Sequence, residues 1–187
     1  DTEILHDLTD KQDARVQFIH ESLQQIQEVL AEQGATLDVR IGKPLEVFKQ
    51  LQSDYSIQQV VANEDYEPYA RSRDEQVGDW LRSKGITFET YKDQVVFAKE
   101  EVLKDDGKPY TVFTPYSRKW KARLQVDPIV FHPTEKLMDR FHRSVPKSLP
   151  SLRKIGFAET AIAFPARSWN RDLIKQYAQQ RDLPGVA

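Results

Sequence analysis

The sequence predicts an α/β fold, with helices covering a doubly wound parallel sheet. Segments with helical and with strand-like hydrophobic patterns alternate over residues 11–91, and the loops between them are short. One strand-like segment, residues 57–62, is a short run rich in apolar and β-branched residues, which suits a buried strand in a parallel sheet. These two observations favour repeated strand–helix–strand units over an all-helical or all-β protein.

Helices are predicted where apolar residues recur every three or four positions. Residues 11–33 show this spacing, and Gly34 follows them as a residue suited to a helix C-terminus. Pro44 opens a second helix, because proline is well tolerated in a first helical turn. Further helices are predicted over residues 69–84, 117–124 and 171–180.

Three segments are predicted to be mutually parallel strands, at residues 37–41, 57–62 and 86–91. The first and the last alternate apolar with polar side chains. A helical pattern lies between each strand and the next, and parallel strands need a crossover connection of this kind.

The pattern changes after residue 92, and prolines interrupt the chain from residue 128 onward. We therefore predict an α/β domain over residues 1–127. Residues 128–187 are predicted to be a linker that leads into another domain, because so long an irregular segment is unusual within one compact domain.

Composition argues against several classes of function. The absence of cysteine excludes disulfides and thiolate metal sites, and the four scattered histidines give no reason to expect a metal. No phosphate-binding glycine loop or nucleophile elbow is found, so no catalytic residue is assigned. No apolar run reaches the roughly 18 residues of a membrane span, so we expect no membrane partner and a cytoplasmic location.

The charge is unevenly distributed along the chain. Residues 1–107 contain 12 Lys and Arg against 23 Asp and Glu, whereas residues 108–187 contain 15 against 6. A basic half of this kind suits either a polyanionic partner or an acidic neighbour within a larger protein, and charge alone does not choose between them.

The segment that follows residues 57–62 carries polar and acidic side chains that suit a binding site. It contains Asn63, Asp65 and Glu67 and leads into a predicted helix. Ligands of parallel α/β sheets bind beyond the carboxyl ends of the strands, where this loop would lie. The alternative is an acidic loop whose carboxylates cap the helix and pair with Arg71 and Arg73.

This loop also resembles a known family. Asn63-x-Asp65-x-Glu67-Pro68-Tyr69, followed by Arg71-x-Arg73-Asp74, is similar to the antenna-domain signature of the photolyase/cryptochrome family. Four more segments resemble family motifs in the family's order: Ala14-Arg15-Val16, the stretch from Gly107 to Tyr116, the stretch from Leu149 to Phe157, and Tyr177-x-x-x-Arg181-Asp182-Leu183-Pro184-Gly185.

The resemblance implies a Rossmann-like photolyase N-terminal domain that is truncated at both ends, followed over residues 128–187 by the interdomain linker and the start of the FAD-binding domain. The family's first strands and the stretch that holds the flavin phosphates have no counterpart in the 187 residues. In this family an antenna pigment passes light energy to reduced FAD, and an electron from the flavin splits a cyclobutane pyrimidine dimer that is flipped out of DNA. We therefore expect the full-length protein to be a monomeric deoxyribodipyrimidine photo-lyase and the fragment alone to be inactive.

The same resemblance assigns binding residues. Arg15, Asn63, Asp65 and Glu67 would contact the antenna chromophore, a deazaflavin or methenyltetrahydrofolate, and Tyr177 would contact FAD. Without a ligand, Arg15 and Asp65 would form a surface ion pair and Tyr177 would pack against Ile174.

Two other functions stay open. A cryptochrome would use the same cofactors as a blue-light photoreceptor and would not repair DNA. A stand-alone nucleotide-binding α/β module would need no long proline-rich tail.

Overall fold

Helices and two strands alternate in the first half of the chain. The computed structural model of the protein describes residues 1–164 and 170–183. The helices predicted from periodicity are confirmed, with ends that differ by at most four residues. In chain order the elements are α1 (Thr2–Asp7), α2 (Ala14–Glu32), α3 (Pro44–Asp54), β1 (Gln59–Glu64), α4 (Pro68–Ser83), β2 (Thr87–Lys92), α5 (Phe113–Val126) and α6 (Arg171–Gln180), with short 3-10 helices at Lys99–Glu101, Thr134–Arg140 and Arg153–Ile155.

The two strands pair in parallel, and α4 is the crossover that connects them. The register places Gln59 opposite Thr87 and Glu64 opposite Lys92. Helix α4 packs on β2 and against α3, so one face of the sheet is covered by helices. The α/β class and the parallel pairing of the second and third predicted strands are thereby confirmed.

Glycines end α2 and α4 in the same way. Gly34 and Gly85 follow these helices with φ of +68° and +73°, in the left-handed region that glycine adopts without steric cost. The amide of the next residue then donates back into the last turn, from Ala35 to the Leu30 carbonyl (2.9 Å) and from Ile86 to the Leu81 carbonyl (3.0 Å). These bonds satisfy carbonyls that the helix end leaves without partners.

The hydrophobic core lies between the covered face of the sheet and helices α3 and α4. Val77, Leu81 and Ile86 are buried at its centre. Partly buried apolar side chains surround them: Leu45 and Phe48 from α3, Ile57 and Val60 before and within β1, Trp80 from α4, and Phe88 from β2.

The strand predicted at residues 37–41 is wrong, because this segment pairs with no strand among residues 1–164 and 170–183. The Leu37 amide donates to the Gln27 side chain (2.7 Å) and to no neighbouring strand. Asp38 and Arg40 form an ion pair with each other (2.9 Å). The sheet of the described residues contains only β1 and β2.

The strand predicted at residues 57–62 is found two residues later and is less buried than its apolar sequence predicts. Side chains of β1 alternate between exposed and half-buried. Val61 and Tyr91, on β1 and β2, are 59% and 57% exposed.

Residues 142–160 run antiparallel along α2 and are attached to it by polar contacts. The Ser144 amide donates to the Gly34 carbonyl beyond the end of α2, and the Ala158 amide donates to the Lys11 carbonyl before its start (3.2 and 2.7 Å). Between them, the Pro150 carbonyl lies 2.8 Å from His20 Nε2. Residues 142–160 of the proline-rich segment therefore lie against α2 of the α/β domain.

Candidate functional site

The carboxyl ends of β1 and β2 form one edge of the sheet. Asn63 lies opposite Tyr91, and Glu64 lies opposite Lys92. Because the strands are parallel, the segments that follow them, residues 65–67 and 93–98, leave the sheet at this edge. Ligands of open α/β sheets bind at such an edge.

The loop after β1 brings together three of the residues predicted to bind a ligand. The half-buried Asp65 accepts a hydrogen bond from the Glu67 amide (3.0 Å), which closes a tight turn. Asn63 and Glu67 are exposed on either side of it. Glu67 directly precedes α4, where a carboxylate is favoured by the helix dipole, although its side chain makes no capping hydrogen bond.

The arginines of α4 do not neutralise this loop. Arg73 forms an ion pair with Asp74, its neighbour in the helix (2.8 Å). The alternative reading, in which Arg71 and Arg73 pair with the loop carboxylates, has no such ion pair among residues 1–164 and 170–183, so the loop keeps accessible negative charge.

Arg15 is bound to Asp13 and not to Asp65. Its guanidinium makes a bidentate contact with the Asp13 carboxylate: Nε donates to Oδ1 (3.0 Å) and Nη2 donates to Oδ2 (2.5 Å). This contact, with the hydrogen bond from the Arg15 amide, lowers the pKa of Asp13 to about 2. The alternative to ligand binding, a surface ion pair between Arg15 and Asp65, is therefore wrong, and the Arg15 side chain remains 76% exposed.

Two cavities open on either side of the loop. Asp65 lines a polar cavity of about 550 Å³ together with Arg71 and Ser72. A smaller cavity of about 260 Å³, the strand-end cavity, is lined by Glu64, Tyr66, Lys92, Asp93, Gln94, Val95, Phe97, Ala98 and Lys99. Asp65 and Tyr66 thus line different cavities, whereas Glu64 lines both.

Ion pairs surround the strand-end cavity. Lys99 pairs with Glu64, the last residue of β1. Lys92, the last residue of β2, pairs with Glu101 (2.8 Å). The contact with Lys92 and a hydrogen bond from the Ala98 amide hold the pKa of Glu101 below its usual value, so this carboxylate is ionised at neutral pH.

The aromatic ring of Phe97 is held from several sides. The Trp120 ring, on α5, meets it at a centroid distance of 5.6 Å and an angle of 76°. The Arg123 guanidinium and the Lys92 ammonium lie 5.1 and 5.7 Å from its centroid, within the range of cation–π attraction. These contacts fix one wall of the strand-end cavity.

Comparison with known proteins identifies the family of this chain. Residues 1–137 match the family model described as DNA photolyase. The chain belongs to the DNA photolyase family.

Its curated relatives include named photolyases and one uncharacterized protein. A deoxyribodipyrimidine photo-lyase of Synechococcus sp. is 29% identical over 93% of this chain and 39% of its own length. One of Halobacterium salinarum is 30% identical over 90% of the chain and 36% of its own length. An uncharacterized 31.6 kDa protein of another Synechococcus strain is 30% identical over 91% of the chain and 63% of its own length. The chain thus spans less than two fifths of the length of these two photolyases.

Tyr177, predicted to contact FAD, lies on α6 and is 65% exposed. Ile174, its expected packing partner, is 51% exposed, so the two residues do not form a buried contact. No described contact joins Tyr177 to the loop of residues 63–67. Pro184 and Gly185, which complete the motif of this photolyase-family chain, lie outside the described residues.

The residues of the strand-end cavity are not among those predicted from the sequence. Glu64 and Tyr66 are sequence neighbours of the predicted Asn63 and Asp65; Tyr66 lines the strand-end cavity, and Glu64 lines both this cavity and the polar cavity of Asp65. Lys92 was detectable in principle, because the end of the last predicted strand must lie beside the end of the second.

None of the helices in the described part of this photolyase-family chain is both long and apolar enough to cross a membrane.

Proposed function

We propose that this chain is the N-terminal α/β domain and the following linker of a light-driven DNA repair enzyme. The whole protein would split cyclobutane pyrimidine dimers in DNA by electron transfer from reduced FAD. This part of it would hold an antenna chromophore, either a deazaflavin or methenyltetrahydrofolate. Membership of the DNA photolyase family and the names of the curated relatives support the proposal.

The observation that carries the antenna role is the position of the loop at residues 63–67. It lies at the carboxyl edge of a parallel sheet, and its Asn63 amide and Glu67 carboxylate are exposed. Amide and carboxylate groups suit the ring N–H and carbonyl groups of a polar heterocycle. Bound there, a pigment would supply light absorption and energy transfer to the flavin.

The chain's own residues would bind and orient the pigment. Asp65 retains one carboxylate oxygen beyond the one that accepts from Glu67, and it lines the polar cavity. Arg15 would have to leave Asp13 or use the remaining donors of its exposed guanidinium. We therefore expect Asn63, Asp65 and Glu67 to contribute more to pigment affinity than Arg15.

The partners of the whole protein are proposed from charge and exposure. The basic balance of residues 108–187 suits an approach to DNA, since phosphate contacts dominate non-specific affinity. The exposed ring and hydroxyl of Tyr177 are free to contact FAD. A single proposed FAD contact would not retain the flavin, so the 187-residue chain alone should lack repair activity.

The decisive experiment uses the full-length protein. It is purified, its flavin is reduced, and DNA containing thymine dimers is illuminated with blue light in its presence. Loss of dimers that requires both light and protein is the expected result. Bound flavin without repair would indicate a cryptochrome-type photoreceptor, and a protein with neither flavin nor repair would contradict the proposal.

The antenna role is tested separately by the Asp65→Asn variant. The full-length variant should lose absorbance of the bound pigment, in proportion to weaker binding, while its flavin content and its repair under direct flavin excitation stay unchanged. Asp79→Asn is a matched control, because Asp79 is an exposed carboxylate on α4 that forms an ion pair with Arg82. Equal pigment content in both variants would remove Asp65 from the site.

A further inference from the structure

An exposed apolar segment follows helix α5. Its residues, Ile129, Val130 and Phe131, are 72%, 67% and 80% exposed. They lie between Pro128 and Pro133 and belong to no helix or strand. No hydrogen bond in the described part of the chain uses a backbone N–H or C=O group of these three residues. A short apolar segment with free backbone groups is suited to adding as a strand to the edge of a sheet.

Strand β1 has an edge that could accept such a segment. It pairs with β2 on one side, and no strand among the described residues pairs with its other side. Edge strands are commonly protected from further pairing by charged side chains. Strand β2 contains Glu89 and Lys92, whereas β1 is uncharged from Gln59 to Asn63. The outer edge of β1 is therefore the less protected edge of the sheet.

The side chains of the apolar segment and of β1 are compatible. Val60 packs in the core, so its neighbour Val61 points to the opposite face of the sheet, where it is 59% exposed. In an added strand, Ile129 and Phe131 would share one face, because successive side chains of a strand alternate. Phe131 beside Val61 would form an aromatic and β-branched pair, which is favourable between neighbouring strands.

Charge favours contact between two copies of the chain. Residues 1–107, which include β1, contain 12 Lys and Arg against 23 Asp and Glu. Residues 108–187, which include the apolar segment, contain 15 against 6. Helix α5, directly before the segment, presents Arg118 and Lys121 at its surface. Opposite charge on the two surfaces steers them together and stabilises the encounter.

We propose that this chain forms a dimer in which the apolar segment of each copy adds as a strand to the outer edge of β1 of the other. Each chain has one segment and one free β1 edge, so a reciprocal exchange closes the assembly at two copies. The proposal concerns the 187-residue chain and does not rest on the repair function. The family resemblance predicts a monomeric full-length protein, so family membership does not imply this dimer.

The expected affinity is modest. Pro128 and Pro133 limit each added strand to the residues between them, because proline cannot donate to the hydrogen bonds of a sheet. Two contacts of this size lie at the lower end of specific interfaces, so the dissociation constant should be about 10–100 µM. Raising the salt concentration should increase it, because salt screens the attraction between the acidic and the basic surfaces.

The first test is sedimentation equilibrium of the 187-residue chain, from about one tenth to ten times the expected dissociation constant. The mass should rise from that of the 21.7 kDa monomer to that of a dimer and rise no further. A chain that stays monomeric throughout this range overturns the proposal. Assemblies that grow beyond the dimer overturn the reciprocal exchange.

Variants locate the contact on both surfaces. Val130→Glu in the apolar segment and Val61→Lys in β1 should each weaken the dimer about tenfold or more, because a charge protects a strand from pairing. Val145→Glu is the control for the segment, since Val145 is an 84% exposed valine elsewhere in the proline-rich region, and Tyr91→Lys is the control for the sheet. Both controls should change the affinity by less than about twofold. Equal effects of variants and controls, with circular dichroism showing that all are folded, overturn the assignment.

Cross-linking tests the exchange between copies, because the chain contains no cysteine. A Phe131→Cys preparation and a Val61→Cys preparation are mixed and treated with a short bismaleimide, which tolerates small differences in register. A product that joins the two variants is expected, in much higher yield than when Val145→Cys replaces Phe131→Cys. Equal yields overturn the proposal. Efficient cross-linking within a single highly diluted chain that carries both cysteines would place the segment on its own β1 and overturn the exchange.

Discussion

Gly78 is the residue whose replacement best tests the packing of α4 on the sheet. It is buried in the middle of α4 and faces Phe88 of β2. A Cβ at this position would lie 2.8 Å from Phe88 Cδ1 and 3.3 Å from Cε1. It would also lie 3.1 Å from Arg82 Nη1, the mobile end of an exposed side chain.

Two effects of Gly78→Ala oppose each other. In an unpacked helix the change would stabilise by about 1 kcal/mol, because alanine loses less backbone entropy. Forcing a methyl group against a ring in a packed core costs about 1–3 kcal/mol. Arg82 can move aside, but Phe88 is packed against the core. We expect a net loss of about 1 kcal/mol in the free energy of unfolding.

The assay is urea unfolding of the 187-residue chain, followed by circular dichroism at 222 nm. Phe88→Leu, made alone and together with Gly78→Ala, provides the control, because the smaller side chain leaves room for the methyl group. In the Phe88→Leu background, Gly78→Ala should lower the free energy of unfolding by less, or should raise it. The double-mutant cycle reports this difference as a coupling energy. A stabilisation by Gly78→Ala that is independent of residue 88 would show that α4 does not pack closely on β2.

Three other predictions concern the segment over α2, pH and the flavin. Lys147→Met removes the donor to Asp38 (2.9 Å) and should speed hydrogen exchange at residues 144–147, whereas Lys154→Met at an exposed position should not. Hydrogen bonds from Arg40, and then from Lys147, lower the pKa of Asp38. The ionised Asp38 therefore contributes fully to the free energy of unfolding above the unfolded-state pKa of about 3.9, and this contribution is lost as the pH falls below that value. Asp38→Asn should flatten this part of the profile of stability against pH. Tyr177→Ala in the full-length protein should lower the flavin content per mole and leave the α/β domain folded; unchanged content and titrated affinity would remove Tyr177 from the FAD site.

Helices were predictable because their determinants lie close together in sequence. Apolar spacing, the proline at the start of α3 and the glycines after α2 and α4 each act within a few residues. The order of elements and the parallel pairing of β1 with β2 followed from the intervening helix.

Segment 37–41 shows why strands were less predictable. Its alternating pattern is that of a strand, but a strand needs hydrogen bonds from a neighbour. In the structure the Leu37 amide donates to the Gln27 side chain, and Asp38 and Arg40 form an ion pair. Nothing within residues 37–41 could reveal which partner their backbone would find.

The sequence by itself therefore determined the α/β class, the helices, the motif at residues 63–67 and its place after a parallel strand. Only the tertiary structure decided that Lys92 and Glu64 line one cavity and that the ring of Trp120 packs against that of Phe97. The physical reason is range: periodicity and capping act within one turn of the chain. Ion pairs and ring contacts depend on how distant elements are placed by the core.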